Sequence, residues 1–447
     1  MTRSLALGGV VWALLLAAPM ARASLFDTYG YGARATAMGG AMVGQSTNYE
    51  AVYYNPANLL TRKTPHFGLG MNVLGPQLYF ERFEGEDAVS PRIPEPNLGF
   101  QLGAATALGG VFEDRIGFGV TLFHPLLRLT RIESIDPIEP TFYRYDSLPD
   151  KLILALALAA EPFDWMRVGI GLQVLAGLGG RVTAAVSLVE GRFTHETIDI
   201  DVDANAAPTV GLAIGPLWGV RFGATWRHHL QLDYHLPIDV LIEEIGVLNV
   251  QIDGVSLYTP DQLALGVSWE SAPPDDPGVT VELGFTWERW SGAPSHLAAF
   301  HLTVDDTVLR APEQAAGREA QHLISVHADA IPLGAKDTLT PRLGAEWRPV
   351  DGWAVRAGYF FRPTPLPRPI YQTNTLDASA HGISVGGGFM FRDPTRMARS
   401  PLHIDLGLQL TVLHDRTIHK APDGAPDGSY RFGGVVWNAT LDLRHDF

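Results

Sequence analysis

From about residue 66 to the C-terminus, apolar and polar side chains alternate with a period of two. In residues 220–227 one face reads Val220, Phe222, Ala224 and Trp226, and the other Arg221, Gly223, Thr225 and Arg227. That period belongs to a strand with one apolar and one polar face. It recurs in Ile116, Phe118, Val120 and Leu122, in Val281, Leu283, Phe285 and Trp287, and in Leu343, Ala345 and Trp347. It recurs again from Leu402 to Val412, and in Val435, Trp437, Ala439, Leu441 and Leu443. The predicted strands run about 9–11 residues, the length of a tilted bilayer crossing. Their polar face carries Gly with Arg, Glu and Asp, which suits a wet lumen, and Trp or Tyr stands near strand ends on the apolar face. A soluble sandwich alternates too. Strand length, girdle and charged inner face together favour an all-β, transmembrane antiparallel β-barrel.

The start of the chain reads as an export signal. Arg3 precedes an apolar stretch over residues 5–20, and Ala21-Arg22-Ala23 offers a small-x-small cleavage site. Residues 1–23 are therefore expected to be a signal peptide, with Ser24 first in the mature chain. No later segment is long enough for a spanning helix: the longest clean apolar run, 152–160, is 9 residues against the roughly 20 required. Phe447 ends the chain in phase with the apolar face of the last strand, resembling an outer-membrane insertion signal, although His445 departs from the apolar residue usual two positions earlier.

Composition narrows the chemistry. The 447 residues contain no Cys, which removes disulfides, thiolate catalysis and cysteine metal sites. The net charge of −15 argues against a nucleic-acid partner. No cofactor is implied. Gly382-Ile383-Ser384-Val385-Gly386 fits a nucleophile-elbow pattern, but Phe389 and Phe391 continue a strand where a helix is needed, so no enzyme is expected. Gly169-Ile170-Gly171 fails the dinucleotide fingerprint at Val174. His228, His229 and His235 read as barrel-end or loop residues rather than metal ligands, and residues 423–428 lack calcium-loop spacing.

Residues 24–64 depart from the alternation. They are rich in Gly and Ala and read as a compact segment before the strands begin. The domains expected are thus the signal peptide 1–23, an N-terminal hatch 24–64 and a barrel 65–447. Fourteen strands give about 27 residues per strand and connection, and the pattern also allows about 16 or more strands. The connections 125–149, 230–260, 362–380 and 415–430 are rich in Pro, Asp or Gly and read as extracellular loops.

The run Gly32-Ala33-Arg34-Ala35-Thr36-Ala37-Met38-Gly39-Gly40-Ala41, followed by Tyr53-Tyr54-Asn55-Pro56-Ala57-Asn58, resembles the FadL/TodX family of outer-membrane transporters for long-chain fatty acids and aromatic hydrocarbons. Residues 260–269, the stretch Trp287-Glu288-Arg289-Trp290-Ser291, and 353–359 with Pro363, Pro365 and Pro367 also look familial. The resemblance implies a 14-stranded barrel plugged by a hatch that holds Asn55, Pro56 and Ala57. Pro56 fixes its own φ and biases Asn55 away from helix, so the motif sets a defined turn; its role is to fold the plug or to gate. The resemblance also implies that Phe26, third in the mature chain, approaches a luminal apolar pocket, and that ligand leaves laterally through a kinked strand. A Gly-rich strand such as residues 99–110 offers a site for that kink.

Passive uptake of hydrophobic compounds is therefore expected, with long-chain fatty acids foremost. Aromatic hydrocarbons are the first alternative, and a barrel serving protein interaction or secretion is the second. A fatty-acid carboxylate wants a luminal cation. By alternation Arg221, Arg227, Arg342, Arg348 and Arg356 face inward, together with Glu282, Glu288, Glu346 and Asp405. Arg356, Arg221 and Arg342 are the candidate ligand contacts, most of the arginines being expected to pair with wall acids. Other expected partners are outer-membrane lipid, lipopolysaccharide and the barrel assembly machinery, around a monomer.

Overall fold

The computed structural model describes residues 29–447 except 84–89, 128–138, 146–151, 188–191, 243–245, 275, 296–298, 306–321, 330, 370–373, 392–399 and 421–428. The signal-peptide reading of 1–23, Phe26 and the 423–428 loop lie outside the described residues.

Among the described residues, two short helices, α1 (Ala33–Ala37) and α2 (Ala51–Tyr54), and a 3₁₀ turn (Pro56–Leu60) come first. The strands follow as β1 (His66–Arg82), β2 (Asn97–Ala107), β3 (Ile116–Pro125), β4 (Thr141–Phe142), β5 (Ile153–Phe163), β6 (Met166–Ser187) and β7 (Arg192–Leu217). Next are β8 (Val220–Arg227), β9 (Leu230–Ile242), β10 (Gly246–Thr259), β11 (Gln262–Glu270), β12 (Gly278–Glu288), β13 (Ala299–Asp305) and β14 (His322–Ala328). The chain closes with β15 (Thr338–Arg348), β16 (Trp353–Arg362), β17 (Thr375–Leu376), β18 (Ala380–Phe391), β19 (Leu402–Ile418) and β20 (Tyr430–Asp446).

Fourteen of these strands form one closed antiparallel ring, β1–β2–β3–β5–β6–β7–β8–β11–β12–β15–β16–β18–β19–β20. The seam pairs β1 with β20 in unbroken register from His66↔Asp446 to Arg82↔Tyr430. A closed ring leaves no free edge, which is what a lipid-facing sheet requires. The long connections all leave from one end. There β9, β10, β13 and β14 extend the sheet beyond the ring, with β9 also parallel to the outer half of β6. The segment 230–260, read from sequence as a loop, is therefore the β9–β10 hairpin. Its Pro237 and Asp residues sit within a paired ladder.

The faces follow the alternation. On β11, Gln262, Ala264, Gly266, Ser268 and Glu270 are buried while Leu263, Leu265, Val267 and Trp269 are exposed. The outward residues make an apolar band around the ring. At the short-turn end it is bordered by exposed Phe163, Trp165, Trp218, Trp269, Trp347, Trp353 and Phe447. No helix among the described residues is long and apolar enough to cross a membrane.

Much of the inner face packs against the N-terminal segment. Residues 29–60 fill the ring, and nearly all of them are buried. The inward glycines make room for them. Gly68 and Gly103 are cross-strand partners, and a Cβ on either would stand 2.1 Å from the Tyr49 ring. Gly169 pairs with Gly211 beneath Asn55, Pro56 and Ala57. Gly223 pairs with Gly266 beneath Val43, Gly344 with Gly358 beneath Met38, and Gly386 with Gly407 beneath Ala37 and Ala33. Each pair lets segment backbone or side chain approach the wall more closely than any larger residue allows. β2, offered above as a kinked strand, is regular: it pairs residue for residue with β1 and β3, and a Cβ at its Gly99 would strike the Phe123 ring.

Candidate functional site

Wall side chains hold the N-terminal segment largely by its backbone. The Ala33 N–H donates to Asp442 at 2.6 Å, Gly32 N–H to Gln101 at 2.9 Å, and Gly44 and Gln45 N–H to the two oxygens of Glu282 at 2.8 and 3.0 Å. Arg227 donates to the Tyr53 carbonyl at 2.6 Å and Arg342 to the Gly39 carbonyl at 2.9 Å. A buried backbone group needs such a partner. These contacts bring together strands from around the ring onto one short segment.

Charge gathers below the segment, toward the short turns. Arg34 of α1 meets Glu346 at 2.9 Å, and the same carboxylate takes Arg348 and Arg356, each at 2.6 Å. Arg356 also reaches Asp405 at 2.5 Å. A cavity of about 70 Å³ lies among Arg34, Arg62, Arg348, Arg356 and Arg444.

Above the segment, toward the long connections, the interior is apolar. Leu74, Leu78, Phe123, Leu413, Tyr430 and Phe432 project from the wall into one cluster with Phe142 and Leu376. Those last two residues belong to β4 and β17, which pair in parallel and knit two separate connections together. Phe142 meets Phe432 edge-on at 5.9 Å. Just after β4, Tyr145 packs edge-on against Tyr29 at 6.4 Å, so this roof rests on the first described residue of the N-terminal segment.

The same ladder buries two arginines in this roof. Arg144 stacks on Trp290 at 4.8 Å and lies 3.7 Å from Asp377. Arg362, the last residue of β16, donates to the Tyr145 hydroxyl and lies over its ring at 5.4 Å. They are only 3% and 2% exposed. Even so, Nη2 of Arg144 and Nη1 of Arg362 have no hydrogen-bond partner among the described residues. Burial works against the Arg144 charge, but Asp377 together with Glu288, Tyr145 and Tyr143 outweighs it, so its pKa stands above the usual value. Burial likewise raises Tyr145, which stays a neutral hydroxyl. Two fixed cations with spare N–H groups, set among tyrosine, tryptophan and phenylalanine rings, can receive an anionic head whose tail is apolar.

No protein-family model matches the chain. The alkane uptake protein A of Marinobacter nauticus is 22% identical over 394 residues, spanning 82% of this chain and 78% of that protein. A FadL homologue from Pseudomonas aeruginosa superposes with a TM-score of 0.56 at 13% identity, over 96% of this chain and 99% of that one. The toluene transporter TodX of P. putida gives 0.54 at 13% identity, over 93% and 98%. The toluene transporter TbuX of Ralstonia pickettii gives 0.52 at 17%, over 94% and 100%. The chain has the fold of the FadL/TodX-type barrels.

Within this FadL-type barrel the residues singled out from sequence fall into separate places. The Asn55 amide donates to the carbonyls of Val43 at 2.9 Å and Leu212 at 3.0 Å, while its oxygen accepts the Ala57 N–H at 3.1 Å and caps the 3₁₀ turn begun by Pro56. Pro56 and Ala57 pack on the Gly169–Gly211 pair. Arg342 lies at mid-segment on Gly39, Arg356 lies in the lower ion cluster, and Arg221 meets Glu270 at 2.9 Å near the short turns. The three arginines do not come together. Ser384 of the Gly-x-Ser-x-Gly match sits inside β18, facing inward, without the turn and helix of a nucleophile elbow. Arg144 and Arg362 were missed by sequence reasoning. Arg144 follows β4, a two-residue strand with no periodicity, and Arg362 ends a strand just before a Pro-rich connection.

Proposed function

We propose that this protein is an outer-membrane channel for passive uptake of hydrophobic molecules, and that its preferred cargo is an amphipathic carboxylate such as a long-chain fatty acid. The outward apolar band with its aromatic border supports a bilayer position, with the long connections outside the cell. The observation that carries the substrate reading is the buried pair Arg144 and Arg362. A hydrocarbon gains nothing from two buried guanidiniums, whereas a carboxylate pairs with them.

In this reading the acyl chain enters the apolar roof between the outer connections and the wall, with its head at Arg144 and Arg362. Phe26 belongs to the three residues that precede the Asp27–Thr28–Tyr29 stretch, and Tyr29 packs on Tyr145. We assign the mature N-terminus, with Phe26, to the floor of the pocket and to its release. Asn55, Pro56, Ala57, Arg221, Arg342 and Arg356 then anchor the N-terminal segment as a hatch. Lateral exit into the membrane spares the acyl chain a water crossing worth about 0.8 kcal/mol per CH₂. Membrane lipid, lipopolysaccharide and the barrel assembly machinery remain the proposed partners of a monomeric barrel. The name of the Marinobacter relative favours a second reading, alkane uptake through the same roof.

The test is uptake of labelled oleate by cells lacking their own outer-membrane fatty-acid transporter, with and without this protein. Saturable, protein-dependent uptake is expected. Absence of uptake with the folded barrel in the outer membrane overturns the fatty-acid reading. Uptake of labelled hexadecane in the same cells then supports the alkane reading.

A further inference from the structure

A second cluster of reactive side chains lies at the outer rim, on the Asp261 side of the Arg289–Trp290 segment on which Arg144 stacks. His228 and His229 join β8 to β9, and Asp261 precedes β11 where the chain returns from β10. In an extended strand two neighbouring side chains point to opposite faces. Here the chain turns as it leaves the ring, and the two imidazole rings stand 4.1 Å apart at 59°. Nδ1 of His228 lies 2.9 Å from Oδ1 of Asp261. The His229 backbone N–H donates to that same oxygen at 2.8 Å and fixes the carboxylate from behind. Asp261 is 4% exposed, whereas both histidines are half-buried and reachable from solvent. One ligand atom from each of the three residues lies within 4.8 Å of the others.

We propose that His228, His229 and Asp261 form a binding site for a divalent transition-metal ion of the Zn²⁺ or Cu²⁺ class. Two imidazoles and a carboxylate are the borderline-hard donor set these ions take, with water completing the shell. Tetrahedral bonds of 2.0–2.1 Å put neighbouring ligand atoms about 3.3 Å apart. The ion therefore draws the three groups together by side-chain rotation, with no change in the strands. The hydrogen bond from His229 to the Asp261 carboxylate is the outer support that orients a ligand before the metal arrives. Arg289, whose backbone N–H binds the Asp261 carbonyl at 3.2 Å, is the nearby cation that opposes the ion. The ion bridges the two crossings at which the chain passes between the ring and the β9–β10 hairpin, and so clips the root of that hairpin to the rim.

The experiment uses the full chain without a histidine tag, folded in detergent and checked for the heat-modifiable migration of an intact barrel. Zn²⁺ and Cu²⁺ are titrated in, bound metal is counted after desalting, and the Cu²⁺ form is examined by electron paramagnetic resonance. The variants are His228→Gln, His229→Gln and Asp261→Asn. About one ion per chain is expected, with nitrogen hyperfine from two imidazoles and binding weakened at least about tenfold in each variant. Equal binding in the wild type and all three variants overturns the proposal, as does a wild type that binds no metal. Gln at 228 still hydrogen-bonds Asp261, so the histidine variants decide the matter if Asp261→Asn fails to fold.

Discussion

Arg144 and Asp377 face each other across 3.7 Å inside a roof of aromatic and aliphatic side chains, on two connections joined by the short β4–β17 ladder. Asp377 also accepts the Thr364 hydroxyl at 2.7 Å and so stands as the internal counter-ion of the site. Replacing it by Asn leaves the guanidiniums of Arg144 and Arg362 with less internal anion. Asp377→Asn is expected to bind oleate about tenfold more tightly, the worth of one charge-assisted contact, and to lower barrel stability. Titration of the purified protein, read by quenching of Trp290 beneath Arg144, checks the first effect. Unchanged affinity speaks against a carboxylate at this site.

The lower ion cluster makes a prediction about stability. Glu346 is 4% exposed and serves Arg34, Arg348 and Arg356 at once. Glu346→Gln strands buried cations, which costs about 3–5 kcal/mol. Its unfolding in urea should begin well below that of the wild type, with the N-terminal segment becoming protease-sensitive first. An unchanged midpoint would mean that Arg34 does not anchor the segment.

The glycine pairs make a steric prediction. A Cβ at Gly169 stands 2.4 Å from the Ala57 nitrogen, a backbone atom that cannot swing away. At Gly284 the nearest atoms are 3.7 Å off, an ordinary contact. Gly169→Ala should therefore cut the yield of folded barrel severely, and Gly284→Ala should leave it intact. Heat-modifiable migration on gels separates the two outcomes.

Glu50 gives the N-terminal segment a pH dependence. Burial pushes its carboxyl up to about 8, with Asp442 and Asp405 adding to the rise and Arg34 and Arg356 opposing it. A carboxyl whose folded pKa exceeds its unfolded value of 4.5 stabilises the fold while protonated. That stability is fully present below about 4.5 and is lost as pH rises through about 8. Melting temperature should fall over that window in the wild type, and the fall should shrink in Glu50→Gln. Parallel curves for the two proteins would contradict the assignment.

Much of the barrel was legible because a period-two pattern survives any tertiary context that keeps one face in an apolar medium. The strands and the outward placement of Phe222, Phe285 and Trp347 follow from it directly, whereas the count of fourteen comes from the family resemblance, since the periodicity alone also allows about 16 or more. The inner face was read less well. Glycine opposite Phe or Leu looks the same whether the lumen holds water or a packed segment, and only the register, which sets Gly68 opposite Gly103, reveals slots for Tyr49. The β9–β10 hairpin reads as a loop in sequence because its Pro and Asp residues mimic turn chemistry. The site was least legible. Arg221, Arg342 and Arg356 lie on regular strands and were easy to find, whereas Arg144 depends on a parallel ladder between residues more than two hundred positions apart in sequence.

The central claim is that a buried guanidinium pair selects a carboxylate over a plain hydrocarbon. The most direct measurement is paired uptake of labelled oleate and labelled hexadecane by cells expressing the wild type or the double variant Arg144→Gln, Arg362→Gln, with equal amounts of folded barrel in the outer membrane. Loss of the charge-assisted contacts is predicted to lower oleate uptake at least about tenfold and to leave hexadecane uptake within about twofold. Oleate uptake equal to wild type, or an equal fall for both compounds, would contradict the account.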